Sequence, residues 1–536
     1  MSDFKYALNI DDRPPHKPTA RELRFQAAVL ASVVTVIVSL LVRYTLRAPL
    51  VPEVLSDFVF AVLPISLVEA GVSLLGPFAK QLGMLACVVL YFLALTGSAY
   101  VFLRFNRHRS ASGVFILVLF TWASTLLILF PFLGAGLLGS DLRQGRTGAS
   151  LWMLAIYAVF ALAVSFFSNR YLGSASGPVG EGSNAAAQDD QRRPTTLIGR
   201  RGIARWTFYA ILGVAAYDIG RALLDPLLHI GAGRVRHGSG IFPSIDGLAI
   251  EVTSISDFYD VSKNVSDPDV DVRRWQLQIG GLVQNAFSLS YDEIRQLPWV
   301  EQYSTLECIS NEVGGDLIGN ALWRGVRLRD LLEQAALKPG AVDIVLKAAD
   351  GYTDSIPPER ALADGTILAY QMNGLPLNAT HGFPLRLIVP GIYGMKNVKW
   401  ITAVEAVDYD FKGYWQKRGW DDRAEYKTMS RIDAPGSSVK NAPTTIAGIA
   451  FAGDRGIQRV QVSTNGGKTW QDADLKPGLS GYTWVLWHLD WTPASRGSTV
   501  LIVRATDGDG ITQTSSHAPP IPNGASGYDT RTVRVG

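Results

Sequence analysis

One thiol stands out among the residues that could carry chemistry. The chain has two cysteines: Cys87 lies inside an apolar run, whereas Cys308 lies in the more polar stretch 304–315. Because Cys308 is the only cysteine outside that apolar run, it has no partner for a disulfide within the more polar part of the chain. A free cysteine is most often a small buried apolar side chain. A thiolate ligand for a soft metal is the alternative.

A second group of chemistry-bearing side chains lies within residues 381–400. It comprises His381, Arg386, Lys396 and Lys399, separated by prolines and glycines. Because prolines and glycines interrupt helices and long strands, this spacing is not that of a solvated helix face. Basic side chains beside a glycine-rich turn suit a phosphate-bearing ligand. A cluster of structural ion pairs is the alternative.

The two groups occur together with two intervening motifs. The motif Thr-Leu-Glu-Cys-x-x-Asn at 305–311 and the segments 320–332, 368–374 and 381–400 resemble, in order and spacing, the sulfite oxidase family of molybdopterin enzymes. The resemblance covers about residues 258–415. It implies an α+β molybdopterin domain, Mo-molybdopterin as cofactor, and Cys308 as the thiolate ligand of molybdenum.

The same resemblance assigns further site residues. Those implied at the pterin and its phosphate are Ser256, Tyr259, Asp260, Asp350, His381, Arg386, Lys396, Asn397, Val398 and Lys399. Those implied at the metal and the substrate are Cys308, Asn264, Lys263 and Trp420.

Two positions depart from the sulfite oxidase pattern. The family's arginine for an anionic substrate is replaced by Lys263 and Asn264, and its active-site tyrosine corresponds to Trp420. Lysine does not grip a forked oxyanion as arginine does, and an indole N–H only donates. These residues are similar to those of the bacterial methionine sulfoxide reductase branch. We therefore predict oxygen-atom transfer on a small S-oxide, N-oxide or sulfite-like substrate, with sulfite itself disfavoured.

The composition predicts a membrane region before the catalytic domain. Apolar residues make up 48% of the chain and charged residues 18%, which is below the usual quarter. We predict a membrane region over 1–228 with five or six spans and a flexible linker at 169–198. The spans are 25–42, 58–78, 82–103, 114–138, 151–167 and, as the sixth, 206–224. Glu69, inside the second span, has either a structural or a functional role.

Charge and histidine positions bear on location and partners. Basic residues follow the third span and fill the linker, so the positive-inside rule predicts a multi-pass cell-membrane protein with its catalytic domain outside the cytoplasm. The basic N-terminus also favours the cytoplasm, whereas six full crossings place it outside, so either the Glu69 segment does not fully cross or the N-terminus lies outside. Arg200 and Arg201 resemble a twin-arginine export signal or are ordinary flanks of the sixth span. A net charge of +3 does not indicate nucleic-acid binding. None of the seven histidines lies inside an apolar span, so we expect electrons to pass to an external one-electron partner.

The C-terminal part reads as short strands with turns. Residues 457–464 alternate in polarity and precede a glycine-containing hairpin turn at 465–468. We predict a molybdopterin domain at 229–433 and an immunoglobulin-like β-sandwich at 434–536. The latter resembles the dimerisation domain of sulfite oxidases, which implies a homodimer. The competing function is a catalytically silent, membrane-tethered binding or sensor module.

Overall fold

The computed structural model describes residues 19–46, 48–63, 67, 78–105, 111–140, 142, 144–172, 245–264 and 267–536. The chain divides into two compact units, Met1–Ile230 and Gly231–Gly536. Glu69, the paired arginines, the sixth predicted span and the linker after residue 172 lie outside the described residues.

The described part of the first unit is helical. Its helices are α1 (Ala20–Leu46), α2 (Val51–Val62), α3 (Phe78–Phe105), α4 (Ala111–Ser124) and α5 (Gly145–Leu172); after α4 come a π-turn at Thr125–Leu129 and short helical turns at Phe130–Phe132 and Leu137–Gly139. Among the described residues, four stretches are long and apolar enough to cross a membrane: Ala20–Arg43, Leu82–Phe105, Ser112–Phe132 and Gly145–Leu172. They coincide with four of the predicted spans.

The predicted span at 58–78 does not begin as one long helix. Helix α2 has 12 residues and ends at Val62, and Leu63 takes an extended conformation with φ −62° and ψ 135°. A residue before proline is disfavoured in the helical region because the proline ring meets its backbone, and residue 64 is proline. Twelve residues are too few to cross a bilayer, which takes about 20.

The second unit begins with a mixed α+β region. Its elements are β1 (Gln276–Gly281), β2 (Phe287–Ser290), α6 (Tyr291–Gln296), β3 (Val300–Glu307), β4 (Ile318–Arg327), α7 (Leu328–Gln334), β5 (Asp343–Ala348), β6 (Thr353–Ile356), α8 (Pro358–Ala361), β7 (Ile367–Met372), β8 (Leu375–Pro376), β9 (Arg386–Ile388) and β10 (Ile401–Val407), with 3₁₀ turns at Gly394–Lys396 and Gln416–Arg418. The predicted strand near 275–283 and helix near 291–297 are both present. Ser290 caps α6 in a capping box with Glu293, as the sequence indicates.

Two sheets enclose the core of this region. One has the order β2-β1-β10-β5-β6, in which β1 and β10 are parallel. The other has the order β3-β4-β7-β8, with β9 also paired to β7. Leu277 and Val404 of the first sheet share one core cluster with Leu368 of the second. Burial of these apolar side chains holds the two sheets, and therefore the loops at their ends, in fixed relation.

The C-terminal strands form a β-sandwich. They are β11 (Met429–Ala434), β12 (Ser438–Val439), β13 (Thr444–Phe451), β14 (Ile457–Ser463), β15 (Gln471–Asp472), β16 (Asp474–Lys476), β17 (Val485–Trp491), β18 (Gly497–Asp507) and β19 (Asp529–Val535). One sheet has the order β11-β13-β17-β16 and the other β12-β19-β18-β14-β15. Trp487 of the first sheet and Val503 of the second lie in one buried cluster. The immunoglobulin-like class and the predicted domain boundaries stay predictions.

Candidate functional site

Loops from both sheets of the α+β region meet at a cleft with about 750 Å³ of empty space, counted with its open mouth. Residue 308 follows strand β3, Asp350 lies in the turn from β5 to β6, and residues 394–400 lead from β9 to β10. The lining residues are Phe258, Tyr259, Asp260, Val261, Ser262, Lys263, Cys308, Asp350, Tyr352, His381, Arg386, Gly394, Met395, Asn397, Val398, Lys399, Trp400, Trp415 and Trp420. Most of the predicted site residues are therefore brought together.

Cys308 occupies one wall of the cleft. Its backbone N–H donates to the carbonyl of Leu317 at 2.9 Å, and its own carbonyl accepts from the N–H of Asn311 at 2.9 Å. The sulfur lies 2.9 Å from the hydroxyl of Ser310, and the residue is 6% exposed. These main-chain bonds fix the direction of the thiol. A thiol that is mostly buried but borders a cleft suits a metal ligand better than a side chain that only fills the core.

The neighbouring Glu307 is a buried carboxyl group. Asn311 donates to its Oε1 at 2.9 Å, whereas its Oε2 is buried with no hydrogen-bond partner in the described part of the chain. Burial raises the pKa of Glu307 to about 7. The carboxyl of the residue that precedes Cys308 therefore changes charge near neutral pH.

Arg386 is a buried cation at the other side of the cleft. Its Nη1 donates to the carbonyl of His381 at 3.2 Å, and its guanidinium lies 4.9 Å from the centre of the Trp323 ring. Its Nε is buried without a partner, and no carboxylate in the described residues forms an ion pair with it. Burial lowers its pKa to about 10, so the group stays charged. An uncompensated buried charge is costly, and an anionic ligand in the cleft would relieve that cost.

Lys399 joins two segments that are distant in the sequence. Its ammonium donates to Asp260 Oδ1 at 2.7 Å, to the hydroxyl of Ser262 at 2.7 Å and to the carbonyl of Thr380 at 3.0 Å. The segment around residue 260, which carries predicted cofactor contacts, is thereby held beside Lys399. Arg386 and Lys399 both line the cleft, but the ammonium protons of Lys399 are used on these three partners, so Arg386 is the one of the two whose charge is left for an anionic group.

His381 is buried in its neutral form. Its Nε2 lies 2.8 Å from the carbonyl of Ile255, and its ring packs edge-on against Phe258 at 5.6 Å. Burial lowers its pKa to about 4 from 6.5, with Arg386 and Lys399 adding to the effect. At neutral pH the ring can donate one hydrogen bond without adding to the positive charge of the cleft.

The variant His381→Gln tests this burial through the pH dependence of unfolding. The unfolded chain binds a proton on histidine below about 6.5, whereas the folded chain binds it only near 4, so this contribution is present above 6.5 and is lost as the pH falls toward 4. The unfolding free energy of wild type minus that of the variant should fall by about 3 kcal/mol over this range. Glu307 acts in the opposite direction, but it is common to both proteins and cancels. A difference that does not change with pH would contradict the assignment.

The turn after β9 is shaped by Asn397. Its Oδ1 accepts from the N–H of Val389 at 2.7 Å, and its Nδ2 donates to the carbonyls of Ile392 and Tyr393 at 3.3 and 3.2 Å. The side chain predicted to contact the cofactor therefore also holds the turn that lines the cleft. Val398 lines the cleft next to it.

Gly394 lines the cleft at a position with no room for a side chain. A Cβ atom there would lie 2.5 Å from the hydroxyl of Tyr259 and 3.2 Å from the carbonyl of Glu307. We expect Gly394→Ala to lower stability by about 1–3 kcal/mol, as overpacking does, and to push the Tyr259 ring into the cleft and reduce cofactor loading. Gly436→Ala is the control, because nothing lies within 4 Å of its added Cβ. Equal thermal midpoints and cofactor contents in the two variants would contradict this.

Lys263 and Trp420 also line the cleft. The ammonium of Lys263 donates to Asn264 Oδ1 at 2.6 Å and to the carbonyl of Asp350 at 2.8 Å. Trp420 stacks on Trp415 with ring centres 4.2 Å apart, and its Nε1 is buried without a partner in the described residues. Lys263 and Trp420 therefore offer one cation and one indole donor beside the Trp415–Trp420 stack.

Three predicted contacts do not line the cleft. The hydroxyl of Ser256 bonds to that of Ser254 at 2.9 Å, and Asn264 lies behind Lys263. Lys396 uses its three ammonium protons on Asp354 Oδ1 at 3.0 Å, the carbonyl of Ser355 at 2.8 Å and Asp422 Oδ1 at 3.4 Å. For Lys396 the ion-pair alternative describes the contacts better than the cofactor contact, since its amine is engaged beneath the cleft floor.

Several residues of the lining were not predicted from the sequence, and Tyr352 is one with polar contacts. Its hydroxyl donates to Asp354 Oδ2 at 2.8 Å and lies 2.9 Å from the carbonyl of Met395. Its position in the sequence could have indicated it, because it lies two residues after Asp350 in a turn that contains a glycine. Phe258, Met395 and Trp415 carry no such signal, because apolar residues in loops are common.

Comparisons with known proteins identify the family of the two domains. A family model described as the oxidoreductase molybdopterin binding domain matches residues 264–415, and one described as the Mo-co oxidoreductase dimerisation domain matches residues 428–519. Mitochondrial sulfite oxidase of Mus musculus is 32% identical over 302 residues, which cover 47% of this chain and 55% of that protein. The chain thus spans about half the length of the mitochondrial sulfite oxidases it matches.

Two further relatives differ in coverage. The uncharacterized oxidoreductase YuiH of Bacillus subtilis is 34% identical over 155 residues, covering 29% of this chain and 76% of that protein. Among solved structures, the sulfane dehydrogenase SoxCD from Paracoccus pantotrophus is 24% identical with a TM-score of 0.48, covering 54% of this chain and 84% of that one. With its thiol, its basic cluster and the two matched domains in the expected order, the chain belongs to the sulfite oxidase family of molybdopterin-dependent oxidoreductases.

Proposed function

We propose that this protein is a membrane-anchored molybdenum oxidoreductase that moves an oxygen atom to or from a small substrate and exchanges electrons singly with an external partner. The observation that carries the proposal is the placement of Cys308 and Arg386 in one cleft. A soft sulfur ligand and an uncompensated buried guanidinium are the two groups that a metal on an anionic organic carrier requires.

The residues present fit Mo-molybdopterin. Cys308 supplies a partly buried thiol with its direction fixed by main-chain bonds. Arg386 has a buried Nε with no protein partner in the described residues, and Lys399 lies on the same side. Gly394 keeps the wall free of a side chain, since a Cβ there would strike Tyr259. Cys308 would hold the metal, and Arg386, Lys399 and His381 would hold the pterin and its phosphate.

The bound cofactor would supply two-electron oxygen-atom exchange with the substrate. The chain's own residues would bind the cofactor, orient it and offset its negative charge. Arg386 would offset the charge of the phosphate, Lys399 holds the segment around Asp260 beside the cleft, and Asn397 keeps the loop that carries Lys399 in shape. His381, neutral at physiological pH, donates its single N–H to the Ile255 carbonyl and leaves Nδ1 as an acceptor, without adding charge.

The residues assigned to the substrate, Lys263 and Trp420, support an S-oxide or N-oxide over sulfite. Lys263 is the cation of this pair, and it is already bonded to Asn264 and to the Asp350 backbone. A dianion would need the planar fork of an arginine for a two-point grip. The Nε1 of Trp420 can donate to one neutral oxide oxygen, and the Trp415–Trp420 stack can cover an apolar substituent.

We also propose a cellular setting. The four apolar helices support anchoring in the cell membrane, and the basic flanks favour a catalytic domain outside the cytoplasm. The dimerisation-domain match supports a homodimer through the C-terminal sandwich. Electron transfer would then use a soluble or membrane-bound one-electron carrier.

A metal assay combined with a substrate panel tests the function. Purified full-length protein from a cofactor-competent host should contain about one molybdenum per chain. With a redox dye, it should turn over methionine sulfoxide or trimethylamine N-oxide faster than it oxidises sulfite. Metal-free protein would favour the catalytically silent module. Rapid sulfite oxidation would overturn the use made of Lys263 and Trp420.

A further inference from the structure

A chain of polar contacts leads from the cleft to the surface. Tyr352, which lines the cleft, donates to Asp354 Oδ2 at 2.8 Å. The ammonium of Lys396 donates to Asp354 Oδ1 at 3.0 Å and to Asp422 Oδ1 at 3.4 Å. Lys412 donates to Asp422 Oδ2 at 2.6 Å. Asp354 and Lys396 are buried, whereas the side chains of Asp422 and Lys412 are 41% and 42% exposed.

The inner ion pair is costly to bury. Asp354 is fully buried and Lys396 is 2% exposed. Removing two charges from water costs free energy that their attraction often fails to repay, and apolar replacements of such pairs are often neutral or stabilising. Burial raises the pKa of the Asp354 carboxyl, with Lys396 opposing it, which brings the proton affinities of the two groups closer together. A purely structural role would be served as well by apolar packing.

We infer that Tyr352, Asp354, Lys396 and Asp422 form a proton relay between the cleft and solvent. The inference rests on the proposed function, because oxygen-atom transfer needs it. Reduction of an S-oxide takes up two electrons, from the one-electron partner, and two protons, and it releases one water. Oxidation of a substrate with water as the oxygen source releases the same two protons. In either direction, protons must cross the protein while the cleft is covered by cofactor and substrate.

Each passage along the relay moves one proton from solvent to the cleft. The O–H bond of Tyr352 breaks as its proton passes to the substrate oxygen that leaves as water, while the phenol oxygen takes over a proton that the Asp354 carboxylate receives from the Lys396 ammonium. The neutral Lys396 amine is then reprotonated from solvent by way of Asp422. The transfers at Tyr352 are concerted, because burial raises its pKa well above the usual value and disfavours a free phenolate. Two passages complete one turnover.

The outer end of the relay has a matched control. Asp422 and Asp410 both accept from Lys412, at 2.6 and 2.7 Å, and both are partly exposed, but among the described residues only Asp422 also touches Lys396. Asp422→Asn therefore interrupts the relay without changing the buried groups, whereas Asp410→Asn removes a similar surface charge outside it. Tyr352→Phe interrupts the inner end and keeps the ring.

The test uses the full-length, molybdenum-loaded protein. A pH-indicator dye in weak buffer would report proton uptake when the enzyme is reduced by a reduced redox dye, and turnover of trimethylamine N-oxide or methionine sulfoxide would be compared in water and in heavy water. We expect Asp422→Asn to slow proton uptake about tenfold, to raise the solvent isotope effect, and to be restored by added formic acid or imidazole. Tyr352→Phe should slow proton uptake about a hundredfold, and added formic acid or imidazole should not restore it. Asp410→Asn should match wild type.

The outcomes separate the relay from the function. If loaded wild type turns over and Asp422→Asn behaves like Asp410→Asn in both readouts, the relay is overturned and the function stands. If the wild-type chain holds no molybdenum, both are overturned. Molybdenum per chain and the thermal midpoint should stay equal in Asp422→Asn and Asp410→Asn. Loss of metal in Asp422→Asn alone would assign these residues to holding the fold and overturn the relay.

Discussion

Cys308→Ser is expected to reduce turnover by more than about 100-fold while leaving the fold intact. Changing groups that only support a metal ligand already costs about 10–100-fold, and a serine hydroxyl is a harder, more weakly ionised donor than a thiol. The side chain keeps its size, and the neighbouring main-chain bonds do not involve the sulfur. The thermal midpoint of the cofactor-free protein should therefore change little.

The measurement combines turnover, visible absorption and metal content. Since the pterin contacts remain, the variant should retain part of its molybdenum and lose the absorption that depends on the sulfur. Cys87→Ser is the matched control, because Cys87 is also buried but lies in helix α3 of the other unit. A Cys308→Ser protein with wild-type colour and turnover would refute the metal-ligand assignment and the proposed function with it.

The second large effect is expected from Arg386→Met, and it has opposite signs in two measurements. The molybdenum and pterin content per chain should fall more than about tenfold, because the charge-assisted bonds to the phosphate are lost. The cofactor-free chain should be no less stable than wild type, because a buried guanidinium without a carboxylate partner is removed. An ordinary packing residue would show a loss in both measurements.

Arg324→Met is the control for this pair of measurements. Its guanidinium also lies over a tryptophan, Trp299 at 4.1 Å, but it is paired with Glu301 and lies outside the cleft lining. It should leave cofactor content unchanged. If Arg386→Met instead destabilises the cofactor-free chain and keeps its pterin, Arg386 supports the core and is not an anion site.

The contrast between Arg386 and Lys396 shows what the sequence could not resolve. Both are basic, both fall in residues 381–400, and both were predicted to contact the cofactor. The structure leaves the Arg386 guanidinium at the cleft and ties the Lys396 ammonium to Asp354, 42 residues away in the chain. The partner of a charged side chain depends on which distant segment packs against it, and local spacing carries no record of that.

Local patterns, by contrast, predicted elements whose cause is local. Ser290 and Glu293 cap helix α6 through bonds between residues three apart, and the alternation at 457–464 gave strand β14. Within the predicted span at 58–78, helix α2 ends at Val62, just before the proline at residue 64. Composition measures apolarity over a window, whereas the helix end is decided at one residue.

The sequence by itself determined the family, the thiol and most residues of the cleft, because the motifs around Cys308 and His381 carry the chemistry in the order and spacing of one fold. Only the tertiary structure decided the direction of each side chain. It placed Tyr352 in the cleft, joined it through Asp354 to the surface, and removed Ser256, Asn264 and Lys396 from the lining. The physical reason is that hydrogen bonds and ion pairs are short-ranged. They form between whichever groups the packing of the two sheets brings within about 3 Å, however far apart these groups lie along the chain.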